Sequence, residues 1–141
     1  MNEGFLANCL FFTANRLSRS VTKIAEEQFA ATGLSPMYGY LILLVNGTPG
    51  ITQKELAEAL YVTPSTLTRF IDKLEAKRLV ERKVHGKTVQ VYSTDKGMEL
   101  EDTIRQASKN LQSRYREILG EESKQSLNGE IKSASEKLEK K

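Results

Sequence analysis

The chain has 141 residues, of which 39% are hydrophobic and 28% charged, with one cysteine, one histidine and a formal net charge of +3 at pH 7. That length carries one ordinary domain with its own core. A single cysteine excludes an internal disulfide framework and, with a single histidine, a nitrogen/sulfur zinc site within one subunit.

No apolar run approaches the roughly 20 residues needed to cross a bilayer. The longest lies at Leu41 to Val45, and the first residues lack the basic-then-apolar order of a signal peptide. The expectation is a cytoplasmic protein without a membrane partner.

One long helix is expected from about Glu3 to Ala31. Leu6, Leu10, Leu17, Val21 and Ile24 supply one stripe, and Phe5, Cys9 and Phe12 add a second apolar face in its N-terminal half. A terminal helix apolar on two sides points to burial against another subunit, because a small domain rarely covers both faces of its outermost helix. Arg16, Arg19 and Lys23 point away as a solvated face. Gly33 ends the helix in the left-handed conformation, and Ser35-Pro36 opens the next one. That second helix is largely buried through Tyr38, Leu41, Ile42, Leu44 and Val45, and a turn-rich Asn46-Gly47-Thr48-Pro49-Gly50 loop closes it. Tyr38 and Tyr40, with Phe12, are candidates to line a small-molecule pocket, since tyrosine offers an apolar ring and a polar tip. Core packing is the competing reading of both tyrosines.

Thr52 followed three residues later by Glu55 has capping-box spacing, so a helix begins there. Leu56, Ala57 and Leu60 form its apolar face. Tyr61-Val62 interrupt, and Thr63 caps a further helix whose first position is Pro64. Leu67, Phe70, Ile71 and Leu74 recur as one buried stripe. Ser65, Thr66, Thr68, Arg69 and Lys73 therefore lie away from it, and hydroxyls and cations at this end suit an element that enters the major groove. Next, LVERKVHGKTVQVYST alternates as two strands about a His85-Gly86-Lys87 turn. Residues 64 to 91 hold seven basic and three acidic side chains against a whole-chain charge of +3. The remainder is near neutral, and the positive charge is localised as a nucleic-acid footprint requires.

Thr94 caps a long helix from about Asp95, with Leu100, Ile104, Ala107, Leu111, Tyr115 and Ile118 in a near-heptad stripe that Gly120 stops. Ser123 to Lys141 reads as a final helix whose narrow stripe of Leu127, Ile131, Ala134 and Leu138 suits a single partner helix. No glycine-rich phosphate loop, paired helical histidines or Cys-x-x-Cys appear. His85 sits in a polar turn, and the carboxylates are scattered along helix surfaces. Nothing here reads as an enzyme.

TQKELAEALYVTPSTLTRFIDKLEAKRLVERK followed by STDKG resembles the winged-helix core of the MarR family of bacterial transcription regulators, and the resemblance extends over essentially the whole chain. Its most specific pieces are the Pro-Ser-x-x-Thr-Arg segment, the Leu-Val-x-Arg run leading into the wing and the Thr-x-x-Gly exit. It implies a mainly α fold with a small β-wing in a single domain over residues 1–141. Residues 35–97 would form the winged helix-turn-helix core, and 1–34 and 98–141 a helical dimerisation region. By the same resemblance the protein is a homodimer on a pseudo-palindromic site in double-stranded DNA, most often a repressor. A small aromatic or phenolic effector releases it, and no cofactor is required. Ser65, Thr68 and Arg69 fall where the family reads bases and phosphates, with Gln53 at the start of the supporting helix. Thr63, Thr66, Lys73, Arg82, Lys83 and Lys87 complete the expected DNA-facing set. Dimerisation is expected through Phe5, Leu6, Leu10, Leu111, Tyr115, Ile118, Leu127, Ile131 and Leu138.

Two features depart from the family pattern. Most members carry a longer wing with Asp-x-Arg at its tip, whereas this loop holds only His85, Gly86, Lys87 and Thr88. The peroxide-sensing branch carries a reactive cysteine in the N-terminal helix, and aligning Leu10, Phe12, Ser18 and Arg19 with that branch puts Phe11 at its position. Cys9 stands two residues earlier, about 200° round a helix, and Asn15 and Ser35 replace the accompanying tyrosines. An inert, buried Cys9 is therefore expected, with a redox switch through Cys9 as the alternative. A protein-interaction adaptor that does not read DNA is a third reading, but it would be expected to lose the outward Ser/Thr/Arg set and the basic wing.

Overall fold

The computed structural model describes residues 4–140, so the expected helix start at Glu3 and helix end at Lys141 lie outside the described residues. The N-terminal segment is two helices rather than one, α1 (Gly4–Ala7) and α2 (Leu10–Phe29). The cause lies at Asn8. Its backbone N–H and its side-chain amide both donate to the Gly4 carbonyl, at 3.2 and 2.9 Å, so the side chain competes for a helical acceptor. Cys9 is then extended (φ −101, ψ 116). A 3-10 turn, Ala30–Thr32, follows α2, and Gly33 closes it at φ 73.

The core is built around α3 (Pro36–Gly47), whose Leu41, Ile42 and Val45 are fully buried. Phe29 packs its ring at 5.3 Å from Tyr40. Two short helices, α4 (Gln53–Leu60) and α5 (Pro64–Ala76), add Leu56, Leu67, Ile71 and Leu74 to the same core. An antiparallel hairpin follows, β1 (Val80–His85) and β2 (Thr88–Ser93), paired from Val80↔Ser93 to His85↔Thr88. The turn is therefore only Gly86-Lys87, with Gly86 at φ 62, and His85 belongs to the strand. The sheet also has a third edge. Gly50 N–H donates to Val91 O (3.1 Å), Val91 N–H donates to Ile51 O (2.9 Å), and Thr52 bridges Gln90. These bonds tie the wing to the start of α4.

After the wing comes α6 (Asp95–Glu99), capped by Thr94, whose Oγ1 accepts from Gly97 N–H. The expected continuous helix is interrupted at Leu100, whose N–H bonds Gly97 O, three residues back, a tighter turn than the α-helical one. Then α7 (Glu101–Leu119) lays Ile104, Ala107 and Leu111 into the core. Gly120 ends it, and α8 (Glu121–Glu139) starts at once, two residues before the expected Ser123. The last helix packs on α7.

Candidate nucleic-acid interface

The pair α4–α5 is positioned by its ends. At the start of α4, Thr52 Oγ1 accepts from Glu55 N–H at 3.1 Å and Glu55 Oε1 accepts from Thr52 N–H at 3.0 Å, the reciprocal box expected from the spacing. Those bonds from Thr52 hold the Glu55 carboxyl below its ordinary value of 4.5. At the other end Tyr61 turns left-handed (φ 56, ψ 44), with its N–H on Glu58 O and Val62 N–H on Ala57 O. This is the paired-bond reversal that often closes a helix, and it sets the angle at which α5 departs.

Thr63 Oγ1 accepts from Thr66 N–H at 3.2 Å and donates to Thr66 Oγ1 at 2.9 Å. The two hydroxyls do not stand free toward DNA, as the sequence suggests. Thr63 caps the start of α5, because the unpaired backbone N–H groups of its first turn need acceptors, and the Thr66 hydroxyl is tied to Thr63. Leu67, Ile71 and Leu74 point inward as expected, whereas Phe70 is half-buried with its ring edge-on to Tyr38 at 5.2 Å. Ser65, Thr68, Arg69 and Lys73 are exposed on the opposite side. Thr68 Oγ1 donates back to Pro64 O at 3.0 Å, and Arg69 Nη2 reaches Thr66 Oγ1 at 3.4 Å.

Arg82 departs furthest from the role its sequence position suggests. Its guanidinium pairs with Asp72, approaches Glu75 at 4.0 Å and donates to Thr68 O at 3.4 Å, while its backbone N–H donates to Glu75 Oε2. Its side chain is only 24% exposed. Arg82 thus clamps the wing to α5 and is not an open cation for DNA. Strand alternation explains this, since Arg82 lies on the face of β1 turned to the helix and Lys83 on the other. Lys83 sits over the Tyr92 ring at 4.7 Å, and Lys87 is exposed in the turn. The clamp engages two carboxylates with one guanidinium, leaving a single negative charge there. Among the described residues 64 to 91, Glu81 is then the one acid outside an ion pair, against Arg69, Lys73, Lys77, Arg78, Lys83 and Lys87.

A cleft of about 890 Å³ runs along α4 to the wing tip and brings together Gln53, Lys54, Tyr61, Thr68 and Lys87 over a floor of Ala57, Val62 and Leu67. The expected small-molecule residues do not gather in this way. Tyr38 is engaged with Phe70, Tyr40 with Phe29 and, through its hydroxyl, with Ser108 Oγ at 3.1 Å. Phe12 is distant in sequence and lines neither this cleft nor the one formed by Glu75, Arg78, Val80 and Thr94.

Of the expected dimerisation residues, Leu111 is buried in the chain's own core and Tyr115 donates its hydroxyl to Val21 O at 2.6 Å. Those two belong to the fold of one subunit, because α7 packs directly on α2. By contrast Phe5 and Leu10 are each 71% exposed, Phe11 78% and Leu138 74%, with Ile118 and Ile131 also exposed. Leu6, Leu127 and Cys9 are half-buried. The sheet's third edge and the Arg82 clamp have no counterpart in the sequence reading. The only trace of the clamp is charge complementarity between Asp72 or Glu75 and Arg82, which becomes a signal once the strand is known to cross the helix.

Residues 32–88 match the model of the MarR family. No curated protein matches the chain in sequence. Among solved structures, the transcriptional repressor CouR bound to a 23-mer DNA duplex is similar with a TM-score of 0.83 at 22% identity, over 96% of this chain and 98% of that one. The PcaV transcriptional regulator from Streptomyces coelicolor, in complex with its natural ligand, gives 0.84 at 17% identity, over 99% and 100%. S. aureus MepR in complex with DNA gives 0.79 at 18% identity, over 93% and 98%. At such identities the structural likeness speaks for the fold, and the family match falls on the helix-turn-helix and wing. Together they show that the chain has the winged helix-turn-helix fold of these regulators, with a match to the MarR family over residues 32–88.

Proposed function

We propose that this protein is a DNA-binding transcriptional repressor that acts as a homodimer on a pseudo-palindromic site. The observation that carries this reading is the outward face of α5. Ser65, Thr68, Arg69 and Lys73 stand free of the core beside a wing whose acidic neighbours are occupied by Arg82. Hydroxyls and guanidinium at the N-terminal half of such a helix suit base edges, and Lys83, Lys87 and Gln53 suit the flanking backbone. Exposed Phe5, Leu10, Phe11, Ile131 and Leu138 at the two chain ends supply apolar surface for a second copy. Release by a small aromatic or phenolic effector is the regulation proposed, by analogy with the ligand complex of PcaV. Such a protein works where the DNA is, in the cytoplasm, and among the described residues no single helix is long and apolar enough to cross a membrane.

Selection of bound sequences from a random duplex pool tests the reading. The expected product is a two-fold symmetric site with half-sites about one helical turn, roughly 10 bp, apart. Enrichment of no sequence, together with no binding to mixed duplex DNA even at low salt, would reject it.

A further inference from the structure

One exposed aromatic side chain stands at the turn into α5 without a structural reason. Tyr61 is 83% exposed, and no hydrogen bond or ring contact of its side chain occurs among the described residues. Its backbone is left-handed, at φ 56 and ψ 44. That conformation is an outlier for a bulky residue and is normally filled by glycine at this place in a helix end. Burial does not favour tyrosine here, and the backbone disfavours it. Strain kept without any packing partner is characteristic of positions whose side chain meets something outside the fold.

The surroundings indicate what that is. Tyr61 lines the same cleft as Lys54, Pro64, Thr68 and Lys87, and it precedes by two residues the Thr63 that caps α5. An unpartnered phenol beside two cations, at the approach to the groove-facing helix, matches the sugar-phosphate backbone. Tyrosine hydroxyls are regular donors to phosphate oxygens, contacts that fix register on the duplex without reading bases. We infer that Tyr61 is a DNA-backbone contact. Its hydroxyl donates to a phosphate oxygen, its ring lies on the adjoining sugar, and together they seat the N-terminal end of α5 in the groove. This rests on the DNA-binding reading above. Because the phenol is uncharged, it adds affinity without displacing a counterion, so its removal leaves the salt slope unchanged.

The test uses full-length Tyr61→Gly and Tyr61→Phe, each measured for melting temperature and for binding to the duplex selected by the parent and to mixed-sequence duplex. Tyr61→Gly relieves the backbone and is expected to melt about 2–4 °C higher, yet to bind both duplexes about tenfold more weakly with the parent's salt slope. Tyr61→Phe keeps the parent's melting temperature and binds about fivefold more weakly, the share of the hydrogen bond. A merely structural tyrosine would lose stability and affinity together in Tyr61→Gly, which overturns the inference. So does parental affinity in either variant, or a weakening confined to the selected duplex, which would make Tyr61 a base reader. A parent that binds no duplex at all rejects the DNA reading itself, and the role of Tyr61 falls with it.

Discussion

Arg69 and Arg82 carry the same guanidinium, and their surroundings give them different work. Arg69 is exposed on the outward face of α5, held only by a long bond to Thr66. Arg69→Ala is expected to cost about 1–3 kcal/mol in binding to the selected site and to relax one position per half-site, as read by competition among single-base variants. Lys87→Ala should weaken all sequences alike and lower the salt slope by about one for each phosphate it no longer neutralises. Arg82→Ala should instead lower melting temperature and affinity together, because it frees Asp72 and Glu75 and unclamps the wing. Arg78 shows backbone strain in isolation. It closes α5 at φ 61, with its N–H on Glu75 O and Leu79 N–H on Leu74 O. That conformation costs a non-glycine residue roughly 1–2 kcal/mol, partly offset by the greater freedom glycine has when unfolded. Arg78→Gly is therefore expected to raise stability by up to about 1 kcal/mol in urea unfolding.

At the scale of the element, helix ends do more than helix faces to place the interface. The Thr52–Glu55 box fixes where α4 begins, and its carboxyl titrates below the ordinary 4.5. A carboxyl depressed by folding contributes stability that is present above its unfolded value and lost as pH falls through the folded one. The parent should therefore exceed Glu55→Gln in urea midpoint at neutral pH, and the gap should close as pH approaches about 3, below the usual carboxylate range. Gly97 places another end. A Cβ there would lie 2.2 Å from Leu79 O, so α6 can approach the lead-in to the wing only without a side chain. Gly97→Ala must shift backbone against backbone, and a destabilisation of about 1–3 kcal/mol is expected, within the usual range for overpacking.

Over the whole molecule, the N-terminal segment leaves large apolar side chains uncovered, since α1 and the start of α2 hold Phe5, Leu10 and Phe11 in solvent. If a second copy covers them, light scattering at micromolar concentration should give a dimer, and the double change Leu10→Asp with Phe11→Asp should give a monomer that keeps its helical content. A parent that is monomeric under those conditions would refute the dimer. Cys9 lies in the break between α1 and α2, half-buried, while Phe11 is the residue turned to solvent. Cys9→Ser is expected to bind the selected site as the parent does, and peroxide should not release the parent. Release by peroxide that Cys9→Ser abolishes would show a redox switch instead.

Features that depend on neighbours along the chain are legible in the amino-acid order alone. The box at Thr52 and Glu55, the cap and proline at Thr63-Pro64, the inward stripe of Leu67, Ile71 and Leu74 and the alternating strands all follow from local hydrogen-bonding needs and periodicity, and the structure holds each of them in place. Element ends are less legible where a side chain competes for backbone, as Asn8 does at the break before Cys9. Which polar groups remain free emerges only when the segments pack. Arg82, Thr63 and Thr66 look like DNA contacts in sequence, but a helix start and a crossing strand bring hydrogen-bond and ion-pair partners to them. Leu111 and Tyr115 resemble an interface stripe until α2 is laid against α7. One physical reason underlies all of these cases. Periodicity tells which face of an element is apolar or charged, whereas the partner of that face is set by packing between segments far apart in the chain.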